Sequence, residues 1–215
     1  MVELISPSGA RFGAFPSGDE QSQRGVLIVH DWWGIKPYNH EWARWLNEAG
    51  FFTLVVDLYD GYQPTHADAA SRYMREIDQE VAAEKLMAAV DYLAKGGRKV
   101  AVLGWSFGGL QAQHAALDNP ESVDALVFYY SRMVMDAGRW EGFGGKVLGV
   151  YAEGETTWPE KQKKFSALMA RLGIDYRDRS YPAGHGFVNP EGERYNPAAE
   201  ASSREQVLAF LQGLD

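Results

Sequence analysis

Ser106 stands between two glycines in Gly104-Trp105-Ser106-Phe107-Gly108, which fits the pattern G-x-S-x-G. The apolar run "KVAVLG" leads into it and "FGGLQAQHAALDNP", a run of small residues with helical character, leads away. A serine on a sharp strand-to-helix turn projects its hydroxyl. The residues two before and two after it come too close to their surroundings to carry side chains. The helix that follows aims its first amides, and the positive end of its dipole, at negative charge developing beside that hydroxyl. The chemistry implied is nucleophilic attack on a carbonyl carbon.

A serine hydroxyl is a poor nucleophile at neutral pH and needs a neighbouring base. The chain has five histidines. His185, in "YPAGHGF", follows the last strand-like run in a loop bent by Pro182, Gly184 and Gly186, and is the candidate base. His30 ends an apolar run and is expected to pack or line a site. His114 falls in the helix after Ser106 and reads as packing, and His40 and His66 as helix-start or surface residues. The acid that orients the base should lie between serine and histidine in chain order. Glu155, Glu153 and Asp175 compete. Glu155 follows Gly154 just past a strand, and "TTWP" after it suits a loop before a helix, whereas Glu153 would lie within or at the end of that strand. No two histidines have zinc-ligand spacing, and no phosphate-binding or dinucleotide fingerprint is present in a suitable context, so neither metal nor cofactor is expected.

These residues need elements to carry them. "VELIS" and "ARFGAF" around "PSG" read as an N-terminal hairpin. "GVLIVH", "FFTLVVD", "KVAVLG", "DALVFYY" and "KVLGVYAE" are short, nearly continuous apolar runs of the kind that buried parallel strands show. Between them lie helical segments. "YNHEWARWLNEAG" has Asn39 as its expected cap and Gly50 as its stop. A stretch of about thirty residues breaks near Ile77 and Asp78. "PEKQKKFSALMARLG" and "PAAEASSREQVLAFLQGLD" supply the last two helices, with "LYDGYQPTHADAA" expected as a loop outside the core. Strands alternating with helices at this pitch predict an α/β fold, a mostly parallel sheet with helices on both faces. In such a sheet ligands bind at the carboxyl ends of the strands. His30, Asp31, Asp57, Ser106, Glu153, Glu155 and His185 all fall at such ends.

The composition fits this reading. A chain of 215 residues suits one domain, taken as residues 1–215. A formal net charge of −8 disfavours nucleic acid or an anionic membrane as main partner. With no cysteine, thiolate chemistry and disulfides are excluded. The sequence opens without a basic flank before an apolar run, and no run approaches a membrane span, so a cytoplasmic protein is expected.

The residues resemble the dienelactone hydrolase family of the α/β-hydrolase fold. The resemblance runs from "SPSGARFGAFPSG" through "GVLIVHDWWGI", "VVDLYDG", "GWSFGG" and "AEGETTWP" to "YPAGHGF". It implies Ser106 as nucleophile, His185 as base, Glu155 as acid, and the backbone amides of Trp32 and Phe107 as an oxyanion hole. The sequence departs from the family's namesakes at three places. They use cysteine where Ser106 stands, and glutamate at the position of Asp31, where it contacts the resting thiol. They also hold a substrate carboxylate with arginines, but Asn189 stands four residues after His185. Arg72 and Arg75 read as solvated helix charges. Asp31 is therefore expected either to act near the nucleophile or to orient the Trp32 loop. Trp33, Trp105, Trp158 and Phe187, with Asp31, are expected to line the substrate pocket. The function implied is hydrolysis of a small-molecule carboxylic ester or lactone through an acyl-enzyme. The alternatives are a non-catalytic relative that binds a small ligand, and a thioester or activated-peptide hydrolase using the same residues.

Overall fold

The structure, a computed structural model, describes residues 1–214. Eight strands form one sheet: β1 (Val2–Ile5), β2 (Arg11–Ser17), β3 (Arg24–Val29), β4 (Phe52–Val56), β5 (Lys99–Trp105), β6 (Ala125–Tyr129), β7 (Lys146–Ala152) and β8 (Tyr176–Tyr181). Their order across the sheet is β1-β2-β4-β3-β5-β6-β7-β8. β1 pairs antiparallel with β2 and β2 with β4, and every other pairing is parallel. The expected hairpin is thus a short antiparallel extension of a parallel sheet.

Six helices connect and cover the strands: α1 (Pro37–Glu48), α2 (Ala67–Glu76), α3 (Gln79–Ala94), α4 (Phe107–Asp118), α5 (Glu160–Leu172) and α6 (Pro197–Leu211). Side chains alternate across the sheet, so each central strand supplies both cores. Val100 and Val102 of β5 pack with Leu86, Val90 and Leu93 of α3, Ala112 and Ala116 of α4, and Phe165 and Met169 of α5. Ala101, Leu103 and Trp105 of the same strand pack with Trp42 and Leu46 of α1 and Val207 and Phe210 of α6. Burial on both faces is why these strands read as continuous apolar runs rather than alternating ones. Each fully buried Val, Leu or Phe among them stabilises the fold by about 1.5–3 kcal/mol.

Two local expectations need correction. Asn39 is not the cap of α1. The cap is Lys36, with Pro37 opening the helix, and Asn39 lies one turn in, where its Oδ1 accepts from the Lys36 amide at 2.8 Å. Proline's fixed φ and missing N–H suit the first helical position, which moves the cap three residues upstream of the expected one. The segment after β4 is not wholly outside the core either. Leu58 and Tyr59 are buried, because the polar residues beyond them turn the chain at Asp60 and Gly61. Among the described residues no helix is long and apolar enough to cross a membrane.

Candidate active site

Ser106 lies between β5 and α4 with φ +53° and ψ −113°, a region that side chains other than glycine's rarely adopt. The backbone is held there by crowding on both sides. A Cβ on Gly104 would stand 2.1 Å from the Gly108 carbonyl oxygen, and one on Gly108 would stand 2.1 Å from that of His30. The two glycines of the motif therefore let three backbone segments meet at one point. The Ser106 amide is anchored to the Tyr129 carbonyl at 2.9 Å.

The loop after β8 brings His185 to this point. Gly186, with φ +84°, turns the chain just beyond it. The loop after β7 packs against the same segment. The Gly154 amide donates to the Ala183 carbonyl at 3.0 Å, and a Cβ on Gly154 would come equally close to that oxygen. Glu155 follows directly. The result is a continuous chain of polar atoms: Ser106 Oγ to His185 Nε2 at 2.8 Å, and His185 Nδ1 to Glu155 Oε1 at 2.7 Å. An ionised carboxylate only accepts, so Nδ1 carries the proton and Nε2 is free to take one from the serine. The Tyr130 ring lies 4.9 Å from the imidazole, on a residue with φ +32°.

The other acid candidates fall elsewhere. Glu153 uses its amide to join the Tyr181 carbonyl, and its carboxylate has no hydrogen bond to histidine. Asp175 lies at the opposite end of the sheet, before β8, near Arg177. His30 is buried, its Nδ1 donating to the Asp31 carbonyl at 2.7 Å and its Nε2 accepting from the Leu58 amide at 3.2 Å. Burial holds its pKa below the usual histidine value, which keeps it neutral. His66 caps α2, accepting from the Ala69 amide. Asp57 closes the turn after β4 with the Tyr59 and Gly61 amides.

Among the described residues the backbone amides of Phe107, the first residue of α4, and Trp32, in the turn after β3, have no acceptor, as is also true of Gly108 in the first turn of α4. The next two amides of the turn after β3 are occupied. Trp33 donates to Asp31 Oδ1 at 2.8 Å and Gly34 to the Asp31 carbonyl at 3.3 Å.

A cavity of about 620 Å³ opens over Ser106. Its walls are Met74 and Arg75 of α2, Gln79 of α3, Phe107, Leu110 and Gln111 of α4, Tyr130, Ser131 and Arg132 after β6, and Glu155, Lys161 and His185. None of the five residues expected to line the pocket is among them. Trp105 is wholly buried on the α1/α6 face, 5.2 Å from the Trp42 ring, because it precedes Ser106 and so points through the sheet the other way. Phe187 is wholly buried against Tyr130 and Tyr181. Trp158 packs on the core and donates to Ser180 Oγ at 3.1 Å. Trp33 leans on Trp32, and the Asp31 carboxylate faces Trp33 and Tyr38.

The structure brings to the pocket three cations that the sequence did not mark as pocket residues: Arg75, Arg132 and Lys161. Lys161 Nζ donates to the Ser131 carbonyl at 3.1 Å, and burial pushes its pKa down. One signal was available in the sequence. A lysine in the first turn of a helix faces the positive end of the dipole, an unfavourable place without another reason to be there.

The fold, with its elbow serine, free amides and loop-borne histidine at the carboxyl edge of a parallel sheet, is that of an α/β-hydrolase. The chain belongs to the dienelactone hydrolase family, which it matches over residues 12–214, and is accordingly a hydrolase of carboxylic esters or lactones. It is 33% identical over 238 residues to carboxymethylenebutenolidase 1 of Cupriavidus pinatubonensis, covering 98% of this chain and 95% of that one. It is 26% identical to the carboxymethylenebutenolidase of Rhodococcus opacus over 91% of this chain and 83% of that one. Its fold is shared with a dienelactone hydrolase-like promiscuous phosphotriesterase from metagenomic libraries, at a TM-score of 0.86 and 23% identity, covering 99% and 97% of the two chains.

Proposed function

We propose that the protein is a serine hydrolase that cleaves a small carboxylic ester or lactone through an acyl-enzyme, with residues 1–215 forming one catalytic domain. The observation that carries this reading is the unbroken Ser106–His185–Glu155 chain, with both contacts below 3 Å. His185 Nε2 takes the proton as Ser106 Oγ attacks the carbonyl carbon. Glu155 holds the imidazole in the required tautomer and stabilises its cation. The amides of Phe107 and Trp32 receive the charge that develops on the carbonyl oxygen. Such donors are worth more in the transition state than in the ground state, which is what makes them catalytic. The C–O bond then breaks as His185 returns its proton to the leaving oxygen. Water, deprotonated by His185, attacks the acyl carbon; the bond to Ser106 Oγ breaks, His185 returns the proton to that oxygen, and the acid is released. With a lactone, the leaving alcohol stays tethered to the acyl group.

The pocket adds a preference for an acidic substrate. Arg75, Arg132 and Lys161 line a cavity whose one carboxylate, Glu155, is engaged by His185. The relatives named carboxymethylenebutenolidases act, by that name, on a lactone bearing a carboxymethylene group, and a carboxylate of this kind suits the three cations. Steady-state assays on paired neutral and carboxylate-bearing esters and lactones test both parts. Ser106→Ala is expected to abolish turnover of all of them without loss of fold. Lys161→Met with Arg132→Met is expected to raise KM roughly tenfold or more for the carboxylate-bearing members only, since a charged hydrogen bond is worth about 1.5–3 kcal/mol. Near-normal turnover by Ser106→Ala would defeat the assignment, and equal losses on neutral and acidic substrates would defeat the preference.

A further inference from the structure

The turn after β3 is held from an unexpected side. Its carboxylate, Asp31, is buried and has both oxygens engaged, Oδ1 by the Trp33 amide at 2.8 Å and Oδ2 by the Tyr38 hydroxyl at 2.9 Å. It makes no hydrogen bond to Ser106 or His185. Tyr38 lies in the first turn of α1, a helix fixed to the sheet by Trp42 and Leu46, and its ring lies edge-on to Trp105, the residue before the nucleophile, at 5.5 Å. The same turn lies against the elbow, since Gly108 leaves no room for a Cβ beside the His30 carbonyl. Its one unpaired amide between Asp31 and Gly34 belongs to Trp32.

We propose, resting on the serine-hydrolase reading, that Asp31 is a positioning residue: by bridging the Tyr38 hydroxyl and the Trp33 amide it fixes the turn so that the Trp32 amide stays unpaired and directed at the developing oxyanion. The rigid reference is α1, and the chain of contacts runs from α1 through Tyr38 and Asp31 to the Trp32 peptide. This assigns Tyr38 a part in catalysis although it does not line the cavity. It also separates Asp31 from any direct dealing with the nucleophile, because its lone pairs are directed at α1 and its own turn. Lys36, Tyr130, Tyr59 and His185 are the other titratable groups near the carboxylate, and each acts on it only through space.

The test is steady-state kinetics on an ester the wild-type enzyme turns over, with Asp31→Ala, Asp31→Asn, Tyr38→Phe and the Asp31→Ala/Tyr38→Phe double variant. Loss of one oxyanion donor lowers kcat by about 10²–10³-fold. Asp31→Ala is expected to lower kcat by roughly a hundredfold with KM little changed. Asparagine can still accept from the Trp33 amide and donate to the Tyr38 oxygen, so Asp31→Asn is expected to recover most of that loss. Tyr38→Phe should lower kcat several-fold, and the double variant should be no worse than Asp31→Ala alone, as expected for two residues of one linkage. A folded Asp31→Ala enzyme with full kcat would overturn the proposal, as would asparagine failing as badly as alanine, which would mean that the charge itself acts. If Asp31→Ala does not fold, full kcat in Tyr38→Phe overturns it by itself. Wild-type protein that hydrolyses no ester or lactone would instead defeat the serine-hydrolase reading and the proposal with it, a result distinct from an active enzyme indifferent to residue 31.

Discussion

Ser106 keeps a backbone conformation that costs of order 1–3 kcal/mol, and its neighbours explain why the cost is sustained. The strained turn puts Oγ within 2.8 Å of His185 while leaving the next amide unpaired. That Ser106, His185 and Glu155 would meet was legible in the sequence because each is a chemically distinctive residue at the end of a strand, and strand ends converge in a parallel sheet. Glu155 was separable from Glu153 by the glycine before it, and the structure gives a reason why it is Glu155 that meets the histidine: Gly154 lets the loop after β7 touch the loop that carries His185. Glu155→Gln is therefore expected to lower kcat by roughly 10³–10⁴-fold, as tautomer loss does in such triads, and Glu153→Gln to change it little; the reverse ranking in a kinetic comparison would move the acid. Arg132 was not legible, since nothing local shows which side of a loop faces the cavity, and Lys161 left only the signal of a cation in the first turn of a helix. Asp31 carries a pH signature of its own. Burial raises its pKa to about 6 against the lowering effects of the Trp33 amide and the Tyr38 hydroxyl. A carboxyl raised in the folded state stabilises fully below its unfolded pKa of about 3.9, and that contribution is lost as pH rises through about 6. Asp31→Asn should thus gain stability relative to wild type between about pH 4 and pH 8, by an amount of order 2 kcal/mol. Melting curves at the two pH values check this, and a constant difference between the proteins would contradict it.

The elements are tuned to one junction. β5 ends, α4 begins, and the turn after β3 crosses them, with three backbones in contact at Gly104, Gly108 and His30. Gly108→Ala would place a methyl group where the His30 carbonyl now lies, 2.1 Å away. The backbone there is not a flexible side-chain end that can swing aside. The substitution is expected either to prevent soluble folding or to displace the turn and cost at least tenfold in kcat, of the order of one weakened oxyanion donor. Soluble protein with wild-type kcat would show that the junction is looser than described. At this scale the sequence was partly misleading. Trp105 was expected in the pocket among the aromatic residues near the strand ends, but adjacent residues on a strand face opposite sides, and its indole ends in the α1/α6 core. Asn39 was expected as a cap from its type alone, while the proline two residues before it decides where α1 starts.

Over the whole molecule, the pattern of apolar runs and helical segments made the fold readable, because a sheet covered on both faces leaves no polar alternation in its central strands. What could not be read was which helix covers which side of the cavity, since that depends on strand order, and β4 lies outside β3 rather than beside β5. The order places the α2–α3 break over Ser106 and brings α5's first turn to the opposite wall. A chain of net charge −8 thus gathers three cations at one cavity. All of this has consequence only if Ser106 is an activated nucleophile. The most direct test is reaction of the folded protein with a fluorophosphonate, read by intact mass and peptide mapping, with Ser106→Ala and His185→Ala as controls. Stoichiometric labelling at Ser106 that is lost in both variants is the predicted result. A folded protein that takes no label, or is labelled at another residue while Ser106 stays free, would contradict the account.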